Sequence, residues 1–202
     1  MEAESILEST LRQAANDGNI GEVVETLSLQ DKMQAVLISG VKGLYDVVIY
    51  LIDHSIGVQY VESGQGNLLH LLLRSYSRYN NASRPDLLLQ CIVKLIEAGV
   101  DVNWSNEDNE MPGFTAAWKG LYEVVIHMLE HGFDLHYVES HQNNLLHILL
   151  YRYDKYNYSY TSRRDLLLQC IVKLVGTGVD SNQLNDPKIY SNFVLPDLKA
   201  MP

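Results

Sequence analysis

Cysteine, proline and positive charge are scarce in this chain, and each shortage closes off a class of protein. Only 2 of its 202 residues are cysteines, Cys91 and Cys170, too few for a disulfide-built scaffold and not spaced as ligands of a zinc knuckle. Of the 5 prolines, Pro187, Pro196 and Pro202 fall after Asn182, which sets off residues 183–202 as a tail of little helical periodicity, a degraded cap or a cut edge. The 15 basic residues are outnumbered by 25 acidic ones, giving a formal charge of −10. That field repels polyphosphate and argues against nucleic-acid binding. No apolar run approaches the roughly 18 residues that span a bilayer, and Met1-Glu2-Ala3-Glu4-Ser5 lacks the basic and apolar regions of a secretory signal. The expectation is therefore a cytoplasmic chain with no membrane insertion.

What the chain does have is repetition. Gly43 to Leu73 matches Gly120 to Leu150 at an offset of 77, with 18 of 31 positions identical, and Asp86 to Leu95 recurs unchanged as Asp165 to Leu174. A unit of about 77 residues thus occurs twice, and each copy holds several short apolar-periodic segments separated by Gly, Asp and Asn. The stripes Val47, Val48, Leu51, Ile52 and Leu88, Ile92, Leu95, Ile96 are too wide to hide on isolated helices, so helix pairs must stack. Glycines 18, 43, 99, 120, 132 and 178 stand where a chain entering or leaving a helix needs positive φ, and Asp101 and Asp180 can brace the turns between pairs. These features predict an all-α chain with at least about 45% helix and almost no sheet.

The segments between these features resemble the ankyrin repeat. Ala14-Ala15-Asn16-Asp17-Gly18-Asn19 with Val23-Val24 looks like a first helix, its turn and a second helix, and Gly43 with Val47-Val48 repeats the pattern. Gly99-Val100-Asp101-Val102-Asn103 is similar to the family's finger, and Met111-Pro112-Gly113-Phe114-Thr115-Ala116-Ala117 to its helix-opening motif. Asn67-Leu68-Leu69-His70 and Asn144-Leu145-Leu146-His147 occupy the same place in two further repeats. The resemblance implies an ankyrin-repeat solenoid over 1–182, with repeats near 6–32, 33–65, 66–110, 111–143 and 144–182. It implies protein binding through the fingers and the inner helix face, a structural role for His70 and His147, and neither cofactor nor metal.

Two segments depart from that pattern. Arg74 to Pro85 and Tyr151 to Arg164 far exceed the usual turn of about four residues, and together hold 7 of the 13 tyrosines and 7 of the 15 basic residues against one acid, Asp154. They share Tyr76-Ser77-Arg78-Tyr79-Asn80 and Tyr153-Asp154-Lys155-Tyr156-Asn157. One reading makes them a paratope, since Tyr and Asn give adaptable contact area and Arg is frequent at hot spots. The other continues the 3.6-residue stripe through Leu72, Tyr76, Tyr79 and through Leu149, Tyr153, Tyr156, Tyr160, lengthening the first helix of each pair. Both hold if Tyr76 and Tyr153 face inward while the basic residues and distal tyrosines are exposed. The candidate partner-binding set is then Tyr76, Arg78, Tyr79, Asn80 and Arg84 in one insert, and Tyr153, Lys155, Tyr156, Asn157, Tyr158, Tyr160, Arg163 and Arg164 in the other. Trp104 at a finger and Trp118 with Lys119 at a helix end complete it. In a regular stack the inserts would project about 20 Å apart, at about 10 Å per layer, as walls of a notch fitting an acidic partner segment. The same spacing excludes a disulfide between Cys91 and Cys170, which read as buried thiols.

Enzyme-like signals are sparse. His127-Met128-Leu129-Glu130-His131 fits the H-x-x-E-H pattern of a zinc peptidase, but its first-copy equivalent is Tyr50-Leu51-Ile52-Asp53-His54 and no third ligand is evident. His136 and His141 fall on the following finger. The acidic finger Glu107-Asp108-Asn109-Glu110 suits either a basic partner or plain solvation. The expectation is a monomeric protein-interaction module or scaffold without catalysis, alternatively an effector or inhibitor masking one target, with a zinc hydrolase as the distant third reading.

Overall fold

A computed structural model of the chain describes residues 2–59, 61–62, 66–76, 84–139, 143–155, 161–177 and 179. Helix accounts for 70% of them, in ten segments: α1 (Glu2–Asp17), α2 (Ile20–Thr26), α3 (Leu29–Lys42), α4 (Tyr45–Asp53), α5 (Leu68–Ser75), α6 (Pro85–Glu97), α7 (Pro112–Lys119), α8 (Tyr122–Glu130), α9 (Leu145–Lys155) and α10 (Thr161–Gly176). Among the described residues the only sheet is the antiparallel pair β1 (Val61–Glu62) and β2 (Gly66–Asn67). The protein is all-α, as its periodicity predicts.

Tight turns set the helix pairs. At Gly43 and Gly120 φ is +70 and +72, a left-handed conformation that a side chain disfavours. The next residue then closes the turn in both copies: Leu44 N–H donates to Ser39 O, and Leu121 N–H to Ala116 O, each at 2.9 Å. The expected repeat boundary between 32 and 33 needs correction, because it falls inside α3. Ser28 caps that helix by accepting the Asp31 N–H, which fixes its start at Leu29.

The chain divides into two compact units, Met1–Glu107 and Asp108–Pro202. Within the first, α3 packs on α4 and α5, α4 and α5 pack on α6, and α1 adds to α2 and α3. Within the second, α7 packs on α8 and α9, and α8 and α9 pack on α10. The sequence duplication is therefore a duplication of a four-helix arrangement, α3–α6 and α7–α10.

Equivalent apolar residues fill the two interiors. Leu88, Cys91, Ile92 and Leu95 of α6 are buried, as are Leu167, Cys170, Ile171 and Leu174 of α10, each large aliphatic group contributing about 1.5–3 kcal/mol. The repetition reaches single bonds. Cys91 Sγ donates to Tyr45 O at 3.5 Å and Cys170 Sγ to Tyr122 O at 3.4 Å. On the surface Lys94 Nζ meets Asp53 Oδ1, and Lys173 Nζ meets Glu130 Oε1, both at 2.6 Å. The copies differ at the solvent edge: Ile96 is buried, whereas its counterpart Val175 is 41% exposed.

Candidate functional site

The two inserts fold differently. In the first unit α5 stops at Ser75, and Tyr76 is extended at φ −72, ψ 102, its N–H donating to Leu72 O and Leu73 O. The expected continuation of the helix through Tyr76 is thus corrected: the backbone turns away one residue beyond Ser75. Arg74 is exposed and Tyr76 half-buried. Arg84, at the far end of the insert, forms a two-pronged ion pair with Asp46 of α4, so its charge is already answered inside its own unit. Arg78, Tyr79 and Asn80 lie outside the described residues.

In the second unit the insert is partly absorbed by helix, since α9 runs on to Lys155 and α10 begins at Thr161. Tyr156, Asn157, Tyr158 and Tyr160 lie outside the described residues. Here the expectation that the basic residues face solvent fails at Arg152, which is 6% exposed. Its guanidinium reaches the end of α7, where a Cβ on Gly120 would stand 3.1 Å from Nη2. A cation is favoured there, because the last carbonyls of a helix and its dipole present negative charge.

On either side of Arg152 stand Tyr151 and Tyr153. Two residues apart on a helix, they point about 200° from each other, one ring to α7 and the other to α10. Tyr151 meets Trp118 edge to face, with centroids 5.7 Å apart and planes at 65°. Tyr153 Oη accepts from Arg164 Nη2 at 2.8 Å, and the Arg164 guanidinium carbon lies 5.5 Å from the ring centre. Trp118 remains 41% exposed and Arg164 is exposed. Lys119 and Arg163 beside them are half-buried, and burial pulls the Lys119 ammonium pKa below its ordinary value. The end of α9 is thus an aromatic and cationic surface held in place by its own contacts. Sequence reasoning selected Trp118, Lys119, Tyr153, Arg163 and Arg164 for it and missed Tyr151, whose position as the first residue of the insert was the available signal.

The first unit lacks this surface at the equivalent positions. Val41 and Arg74 stand where the second unit has Trp118 and Tyr151, so no aromatic pair forms there. Trp104 is 42% exposed and follows the Asp101 turn, in which Asp101 Oδ1 accepts the Asn103 N–H at 2.9 Å. The expected notch would draw one wall from each unit. A groove of about 500 Å³ also lies in the first unit, floored by Leu37, Ile38, Val41 and Leu71 and edged by Glu4 and Glu8.

His70 and His147 have structural partners. Asn144 N–H donates to His147 Nδ1 at 2.9 Å while His147 N–H donates to Asn144 Oδ1 at 3.0 Å, closing the first turn of α9. Asn67 and His70 make the same reciprocal pair at 3.3 Å each way. Burial lowers the His147 pKa to about 4. His131 Nδ1 sits 2.8 Å from His127 O, and Glu130 is engaged by Lys173, so the His131 ring and the Glu130 carboxylate of the zinc-like motif are turned to local contacts. Among the described residues no group of three or more His, Cys, Asp or Glu is placed to hold a metal ion, and no helix is long and apolar enough to cross a membrane. His141 lies outside the described residues, and His136 is exposed.

Compared with known proteins, the chain matches no family model and no curated sequence.

Proposed function

We propose that this chain is an ankyrin-type stack of helix pairs that serves as a protein-interaction module and carries out no reaction of its own. The ankyrin reading rests on the finger at Gly99 to Asn103, on the helix-opening motifs at Asn67, Met111 and Asn144, and on the two-helix period. The binding reading rests on one observation above the others: Trp118, 41% exposed, is fixed edge to face by Tyr151 at the end of α9. An exposed, pre-ordered indole loses little entropy on binding, and Trp, Tyr and Arg dominate interface hot spots. Tyr153, Arg163, Arg164 and Lys119 extend the surface. Lys155, Tyr156, Asn157, Tyr158 and Tyr160 of the same unit belong to the proposal as a second tier. A scaffold or an effector that masks a single target would both use such a surface.

Affinity capture with the full chain tests this. Wild type should retain a stoichiometric protein partner, and Trp118→Ala with Tyr151→Ala should lose it while the helical circular dichroism signal is unchanged. Equal retention by the double variant would overturn the placement of the site.

A further inference from the structure

We infer that the end of α9 recognises an acidic segment of its protein partner, with an apolar side chain of that segment seated against Trp118. This deepens the binding-module reading and rests on it.

The inference comes from an arginine that the second unit adds to the scaffold. Arg84, which Asp46 neutralises in the first unit, has its sequence counterpart in Arg163, two residues before the repeated Asp-Leu-Leu-Leu block. Arg164 stands where the first unit has Pro85; it lies against the Tyr153 ring and hydroxyl, and among the described residues no carboxylate pairs with it. A guanidinium held on an aromatic ring keeps its full charge, and the N–H donors not given to the tyrosine hydroxyl remain for a carboxylate. Lys119 and Arg163 add two more basic side chains in the same unit. These cations sit in a chain whose formal charge is −10. The chain as a whole therefore repels an acidic ligand at long range, while the α9 end rewards it at contact. Long-range repulsion with short-range attraction selects for a segment whose acids are few and correctly spaced over a uniform polyanion. The apolar requirement follows from the indole: 41% of Trp118 is in water, and its neighbour Tyr151 already holds its orientation. Covering it with a Leu or Phe removes apolar area at little entropic cost.

The two tryptophans give a direct readout, since Trp118 belongs to the second unit and Trp104 to the first. The probe is a panel of short synthetic peptides carrying Glu or Asp around a single Leu or Phe, followed by the indole N–H signals of the full-length protein in nitrogen-edited NMR spectra. Acidic peptides should shift the Trp118 indole in a saturable way and leave Trp104 unmoved. Replacing their acids with Lys, or their apolar residue with Ser, should abolish the shift. Arg164→Glu should weaken binding at least about tenfold, while Arg84→Glu, whose arginine is paired to Asp46, should not. Equal response to poly-aspartate lacking an apolar residue would overturn the inference, as would a silent Trp118 across the panel. A silent panel combined with loss of the captured partner in Trp118→Ala would sink the acidic-segment assignment alone. Retention of the partner in Trp118→Ala with Tyr151→Ala would sink the underlying site.

Discussion

Asn144 and His147 hold each other across the first turn of α9, each backbone N–H donating to the other's side chain at 2.9 and 3.0 Å. The imidazole does this as a neutral acceptor at Nδ1, and its burial lowers the pKa to about 4 from an ordinary 6.5. Between those values the unfolded chain takes up a proton that the folded chain refuses, so this group's contribution to stability is whole above about pH 6.5 and is lost as pH falls toward 4. The slope is at most about 1.4 kcal/mol per pH unit for one proton. His147→Gln keeps an acceptor in the capping box but cannot titrate. Urea midpoints measured from pH 7 to pH 4 should fall less steeply in that variant than in wild type. Parallel curves would show that His147 does not titrate as described.

The two thiols should be inert in the folded protein. Cys91 and Cys170 are fully buried, donate to backbone carbonyls, and have pKa values pushed up to about 12, chiefly by burial. Since the thiolate is the reactive form, a disulfide-exchange reagent at pH 8 should label neither until denaturant is added, and then both. Rapid labelling of either in the native protein would show that its helix opens locally.

Leu95 and Leu174 are equivalent residues with essentially no exposure. Alanine at either should cost about 2–5 kcal/mol, the transfer loss plus the cavity left behind. Chemical denaturation reads this directly, and unchanged midpoints would place the interior of α6 or α10 elsewhere.

Gly43 and Gly120 share a left-handed backbone but not their surroundings. A Cβ at Gly43 would meet only the Tyr45 ring at 3.7 Å, whereas one at Gly120 would stand 3.1 Å from Arg152 Nη2. Both alanine variants should lose about 1 kcal/mol or more to backbone strain, and Gly120→Ala should lose further stability because the buried guanidinium must shift. Thermal melts of the pair should rank Gly120→Ala below Gly43→Ala. The reverse order would mean that Arg152 yields freely.

Periodicity and duplication made much of this visible in advance. The stripes Leu88, Ile92, Leu95 and their copies face the interior because a helix shows the same face every third or fourth residue, and Gly43 and Gly120 mark turns because few other residues accept their φ. Contacts between distant segments were not readable. Arg84 finds Asp46, 38 positions earlier, and nothing in either neighbourhood announces the pairing. Arg152 reads as a surface cation because charge usually means exposure, yet the end of α7 supplies a buried place for it. Tyr151 gains its role only when α9 lies beside α7 and brings it to Trp118. The break between Glu107 and Asp108 falls inside an acidic finger whose composition suits either a solvated loop or a binding edge.

Site-directed photocrosslinking inside cells addresses the binding surface most directly. A photoreactive phenylalanine analogue at Trp118 should yield one dominant crosslinked protein, and the same analogue at the exposed Val172 of α10 should not. Crosslinking at Val172 or Trp104 with none at position 118 would place the partner on another surface and overturn the role given to the end of α9.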